Sequence, residues 1–139
     1  MTQALVAAVV AVLAISVGVV LRRRQRVDPP TQPTFAVPAQ LDRADFPSPS
    51  MPWLVAVFSS ATCRTCESTV RAAQALASSQ VAVTEVEYAA ARAVHEKYAI
   101  DAVPLVAIAD ADGVVRASFV GPVAATDLWA AVARVREEA

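Results

Sequence analysis

The hydrophobic pattern divides the chain into a long apolar run, a proline-rich stretch and a mixed remainder. Ala4 to Leu21 is a run of 18 residues without a charge, and only Ser16 and Gly18 in it are not hydrophobic. As a helix rising 1.5 Å per residue it spans about 27 Å, enough for the hydrocarbon core of a bilayer. A helix buried in a soluble core would keep a polar stripe, and this run has none. It therefore reads as a transmembrane anchor. Val27 to Pro52 holds most of the nine prolines, with Asp28-Pro29-Pro30 and Pro33 marking an extended linker.

Beyond the linker, short apolar runs alternate with longer mixed segments. Phe35-Ala36-Val37 is the candidate start of a first strand. Leu41 to Phe46 suits a short helical turn with Asp42 near its cap, and Pro47, Pro49 and Pro52 forbid a regular helix after it. Trp53 to Phe58 is apolar and β-prone. Glu67 to Ser79, rich in Ala, Gln and Arg, reads as helix. Val81 to Glu87 reads as a strand, apolar at 81, 83 and 86 with a phase break, and Ala89 to Tyr98 as a short helix. After Val103-Pro104, Leu105 to Ala109 has the continuous apolar character of a central strand. Asp112-Gly113 marks a hairpin turn into a strand over Val114 to Val120. Gly121-Pro122 turns the chain into a last helix, opening at Ala124 or Thr126 and running to Glu138, with Leu128, Trp129, Val132 and Val135 at helical spacing.

Charge adds an orientation. The formal net charge of the 139 residues is −1, but Arg22, Arg23, Arg24 and Arg26 crowd together directly after the apolar run. A secretory signal would carry its basic residues before that run and a small-residue cleavage site after it. With the arginines on the C-terminal side, the positive-inside rule places the rest of the chain in the cytoplasm and the N-terminus outside. From residue 27 onward 8 basic residues face 13 acidic ones, so no basic surface is left for nucleic acid. Membrane lipid, met through the N-terminal helix and its arginines, is the one partner that charge alone implies.

The chemistry concentrates in Thr62-Cys63-Arg64-Thr65-Cys66, which holds both cysteines of the chain. The pair falls where an apolar strand hands over to a helix. Positions i and i+3 of a helix share a side, close enough for a disulfide. The free N–H groups at a helix start stabilise a thiolate on Cys63, and Arg64 adds positive charge beside it. A zinc site needs four ligands, and only His95 is available besides the cysteines, so no metal is expected. Inert core thiols are the other alternative, against which Ser59, Ser60, Thr62 and Thr65 indicate an exposed loop. Other polar residues read plainly: His95 as a surface residue, Tyr88 and Tyr98 as core-edge packing, Glu85 and Glu87 as the solvent edge of a strand. Trp129 reads as core.

The order of strand, Cys-x-x-Cys, helix, strand, helix, Val-Pro, hairpin and helix resembles the thioredoxin superfamily. The resemblance rests on Phe58 to Cys66, on Lys97-Tyr98-Ala99-Ile100-Asp101-Ala102-Val103-Pro104, on the Asp112-Gly113 hairpin and on Gly121. It implies an α/β fold, a central mixed β-sheet flanked by helices, over residues 35–139. The anchor with its basic flank occupies 1–26 and the linker 27–34. By the same resemblance Cys63 and Cys66 are the redox pair, Thr62 and Arg64 tune it, and Val103 with a cis Pro104 binds an extended substrate through its backbone. Three positions depart from the family pattern: Thr62 replaces a tryptophan, Arg64-Thr65 replaces Gly-Pro, and Val57 replaces a buried aspartate that relays a proton to the second cysteine. Water or Glu67 must then take that proton. The expected function is a membrane-anchored thiol–disulfide oxidoreductase acting on protein disulfides or dithiols, with no cofactor beyond the dithiol. The alternative is a redox-sensing or protein-binding module that does not turn over.

Overall fold

The computed structural model describes residues 35–138. The segments read as anchor (1–26) and linker (27–34) lie outside the described residues. Among the described residues no helix is long and apolar enough to cross a membrane.

Four strands form one mixed sheet: β1 Trp53–Ser59, β2 Val81–Glu87, β3 Leu105–Ala109 and β4 Val115–Val120. Their order across the sheet is β2-β1-β3-β4. β1 runs parallel to β2 and antiparallel to β3, and β3 is antiparallel to β4. Three helices complete the fold: α1 Cys66–Gln74, α2 Arg92–Lys97 and α3 Ala125–Glu137. Every residue of β1 and β3 is buried, which is why both read as unbroken apolar runs. Trp53, Val55, Val57, Val106 and Ile108 face one side, against Val70 and Ala73 of α1 and Leu128, Ala131, Val132 and Val135 of α3. Leu54, Ala56, Phe58, Leu105 and Ala107 face the other, against Leu41 and Phe46, with Val94, Tyr98 and Ile100 packed around them. β4 alternates half-buried and exposed positions, as an edge strand does.

Several elements depart from the sequence reading. Phe35 to Val37 forms no strand. Pro38 lacks the N–H a ladder needs, and the segment joins the sheet only beyond it, through a bridge from Gln40 to Val114 and a bond from Leu41 N–H to Gly113 O of 2.8 Å. α1 stops at Gln74 rather than Ser79. Leu76 N–H bonds Ala73 O and Ala77 N–H bonds Gln74 O in a tightened last turn, after which Ser78 and Ser79 lead into β2. α2 starts at Arg92 rather than Ala89, because Ala90 N–H donates to the Glu87 carboxylate and Ala91 N–H to the Glu87 carbonyl. The helical turn at Arg43–Asp45 forms as expected, with the Asp42 side chain accepting from Ala44 N–H.

Three side chains sit elsewhere than expected. His95 is 2% exposed, edge-on to the rings of Phe58 and Tyr88. Its Nε2 lies 2.8 Å from Val86 O; a carbonyl only accepts, so Nε2 carries the proton. Trp129 is 44% exposed. It follows Leu128 by one residue, about 100° around the helix, so it lies beside the core stripe. From there its indole N–H donates to Ala72 O across the α1–α3 contact at 2.8 Å. Arg43 is buried, and its guanidinium donates to Asp110 O at 2.8 Å and Met51 O at 2.9 Å, tying the proline-rich lead-in to the end of β3. Outside the core, Tyr98 and Lys97 both bond the Asp45 carboxylate. Lys97 first and Tyr98 second hold that carboxyl below its ordinary range.

Candidate active site

β1 ends at Ser59, and the chain leaves the sheet through a tight turn in which Cys63 N–H bonds Ser60 O at 2.9 Å. Cys63 and Cys66 are joined by a disulfide, with Cα atoms 5.4 Å apart. α1 begins at Cys66, with Thr65 as its N-cap. Cys63 thus stands one turn ahead of the helix rather than on its first turn. The two sulfurs are not equivalent. Cys63 is half-buried, whereas Cys66 is 3% exposed. Thr62 is committed to its own loop, its Oγ1 3.1 Å from Ser60 Oγ. Arg64 is exposed beside the pair.

Two strand ends hold this loop in place. Tyr88 N–H donates to Ser59 O at 2.9 Å, extending the β1–β2 pairing past the strands. Glu87, at the end of β2, accepts Ala61 N–H at 3.2 Å with one carboxylate oxygen and Ala90 N–H at 2.9 Å with the other. Its carboxyl is held below the usual range by the N–H groups of Ala90, Ala89 and Ala61, in that order of strength. The hydroxyl of buried Ser59 donates at 2.6 Å to Oε1 of Glu85, two residues before Glu87 on β2. Glu85 is exposed on the edge strand, as the sequence suggests, and Glu87 is half-buried, but both also bond the residues that lead out of β1. Glu67 is exposed and ion-paired to Arg71 at 3.3 Å.

An open groove of about 480 Å³ runs along the disulfide, walled by Cys63, Cys66, Val70, Arg71, Glu85 and Glu87. Val103-Pro104 is a cis peptide bond. Leu105 pairs with Phe58, so Pro104 enters the sheet at the end where residues 59–66 leave it. Gly121 N–H donates to Pro104 O at 2.8 Å. Val103 borders a second, smaller pocket of about 210 Å³, with Ser60, Tyr88, His95 and Ile100. The disulfide, the cis proline, Gly121 and both pockets therefore gather at one end of the sheet, beyond the C-terminal ends of β1, β2 and β4. Among the described residues no three His, Cys, Asp or Glu side chains converge as a metal site would require.

The whole arrangement matches a known architecture. A solved chain described as "Structure of a malarial protein" superposes with a TM-score of 0.53 at 17% identity, covering 60% of this chain and 96% of that one. The order β1, disulfide, α1, β2, α2, cis proline, β3, β4, α3 decides which fold this is. The fold is thioredoxin-like. StoA from Bacillus subtilis matches at 15% identity over 62% of this chain and 85% of its own, with a TM-score of 0.48. No protein-family model and no curated protein matches the sequence. Within the thioredoxin-like fold, Val57 is 1% exposed beneath the α1 end of the sheet, so an apolar side chain fills the place where the resemblance calls for an acid.

Proposed function

We propose that this thioredoxin-like domain is a thiol–disulfide oxidoreductase that reduces protein disulfides, held at a membrane by residues 4–21. The observation that carries the proposal is the asymmetric pair: a half-buried Cys63 and a buried Cys66, bonded to each other on the wall of an open groove. In the reduced protein the Cys63 thiolate attacks a substrate disulfide, and one substrate sulfur leaves as a thiolate. A mixed disulfide to Cys63 results. Cys66 then loses its proton and attacks Cys63 Sγ, releasing the second substrate sulfur and forming the Cys63–Cys66 bond. Two electrons pass from the dithiol to the substrate, and an external thiol donor must return them. An extended substrate pairs with the backbone of Val103 beside Pro104, at the sheet end that also carries the disulfide. Thr62 and Arg64 set the shape and charge of the loop around the attacking sulfur.

Insulin reduction by the full chain, with dithiothreitol as the electron donor, tests the activity. Accelerated precipitation of the insulin B chain supports it. Reduction no faster than with dithiothreitol alone would favour the second reading, a module that changes redox state without turnover, to which the apolar Val57 points. A brief iodoacetamide pulse on the reduced protein tests the roles. Cys63 is expected to be alkylated at least about tenfold faster than Cys66, because access and thiolate character both favour it. Equal labelling, or preference for Cys66, reverses the roles.

A cytoplasmic domain would make reduction or redox sensing its natural task, since thiols there are kept reduced. The position of Arg22, Arg23, Arg24 and Arg26 supports that side. A C-terminal alkaline phosphatase fusion is expected to be inactive and a green fluorescent protein fusion bright. High phosphatase activity would place the domain outside and turn the reading toward an extracytoplasmic reductase.

A further inference from the structure

Resolution by Cys66 needs a proton acceptor, and Val57 cannot serve. The β1–β2 register pairs Val57 with Glu85. Residues opposite each other in a parallel pair point to the same face of the sheet. That face packs on α1, the helix Cys66 begins, and Glu85 lines the groove together with Cys63 and Cys66. The carboxylate missing from β1 is thus supplied one strand away, from the edge strand β2.

The other acids that line the groove are Glu67 and Glu87, and neither lies on the Val57 register position as Glu85 does. Glu67 is turned to Arg71. Glu87 spends both oxygens on loop N–H groups. Glu85 is anchored by one oxygen to the hydroxyl of buried Ser59, and its Oε2 has no protein hydrogen-bond donor among the described residues. The charged groups that share the groove with it are Arg64, Arg71, Glu67 and Glu87. Arg64 and Arg71 keep the site from becoming uniformly negative.

We infer that Glu85, positioned by Ser59, accepts the Cys66 proton when the mixed disulfide collapses. The proton passes through the solvent of the groove to the Glu85 carboxylate. The Cys66 sulfur bonds to Cys63 Sγ, the bond from Cys63 to the substrate sulfur breaks, and that sulfur leaves as a thiolate. The inference rests on the oxidoreductase reading above.

The test follows the two half-reactions separately. Reduced full chain is mixed with one equivalent of dithiobis(nitrobenzoate). The first coloured thiolate is released as Cys63 attacks, the second as Cys66 closes the ring. In Glu85→Gln the first phase is expected to stay within about twofold of wild type, since the amide keeps the shape of the groove and its oxygen can still accept from Ser59, and Cys63 attacks as a thiolate without a base. The second is expected to slow by about 10–100-fold near neutral pH, the scale of a lost general base. With Glu85 unable to accept the proton, the second phase of Glu85→Gln rises by about tenfold per pH unit, tracking free thiolate, more steeply than in wild type. In Glu85→Ala, added formate restores part of the second phase, which a structural role would not allow. Ser59→Ala slows the same phase less, leaving the first unchanged. A second phase in Glu85→Gln with the rate and pH profile of wild type overturns the inference and leaves the oxidoreductase reading standing. Absence of the first phase in wild type instead defeats the oxidoreductase reading itself.

Discussion

Gly113→Ala is expected to destabilise the domain by about 3–5 kcal/mol, as steric clash and strained backbone add together. Gly113 has φ +81°, and a Cβ built on it falls 1.9 Å from Leu41 O. That carbonyl cannot simply step aside. Leu41 is fully buried, and its own N–H donates to Gly113 O at 2.8 Å. Relieving the clash therefore pulls Leu41 out of the core facing Leu54 and Phe58, or breaks one of the ties between the lead-in and the β3–β4 turn, the others being Arg43 to Asp110 O, the Gln40 side chain to Asp112 O and Val115 N–H to Ala39 O. At about 4–8 °C per kcal/mol for a domain of this size, the melting temperature falls by roughly 12–40 °C. Gly121→Ala is the control. Gly121 shares a positive φ of +88° but has nothing within 4 Å of its would-be Cβ, so only the backbone preference is lost, about 1 kcal/mol. Thermal melts that put the two variants within a few degrees of each other would show that the Leu41 contact does not constrain the turn.

Cys66→Ser is expected to lower insulin reduction by about 10³-fold or more, because serine cannot resolve the intermediate and the two sulfurs act as one unit. The same variant should accumulate a covalent adduct with its substrate on Cys63, visible as a gel shift removed by dithiothreitol. Cys63→Ser should be equally inactive and form no adduct, since Cys66 is nearly closed to solvent. Adducts forming on Cys66 in that variant, or turnover surviving in Cys66→Ser, would reverse the order of attack. The Cys66→Ser adduct also offers a way to capture substrates.

Much of this fold was legible because local chemistry and tertiary role agree. A fully buried strand has to be apolar at every position, and Trp53–Phe58 and Leu105–Ala109 were. Cys63-x-x-Cys66 and Val103-Pro104 stand at element boundaries that neighbouring residues mark by themselves. What escaped depends on register. The phase break in Val81–Glu87 was visible, but its meaning was not: Glu85 and Glu87 continue the face of Val81 and Val83, and only the pairing with Val57 and Ser59 turns that face toward the disulfide. The burial of His95 comes from Phe58 and Tyr88, which lie far from it in sequence or on another element, so its neighbours in sequence do not show it. The burial of Arg43 leaves no mark in the sequence either: its acceptors are carbonyls, and every residue has one. Trp129 shows that helical spacing marks a stripe and not its edge.

β1 has a consequence for biosynthesis. Its seven residues, Trp53 to Ser59, are all buried and carry no charge and no proline. In the finished sheet both backbone edges are paired, one by β2 and one by β3. A ribosome delivers these partners late: β2 begins at Val81, and β3 does not emerge until Leu105 and beyond. At about 5–20 residues per second, β1 spends several seconds as a sticky, unpaired segment able to template on another nascent chain. Pro47, Pro49 and Pro52 stand just upstream and Arg64 just downstream. A proline offers no N–H to a passing strand, and a charge resists stacking, so these flanks limit the length over which two such segments can zip together. The proline-rich lead-in thus protects the sheet's centre strand during the interval before the sheet exists.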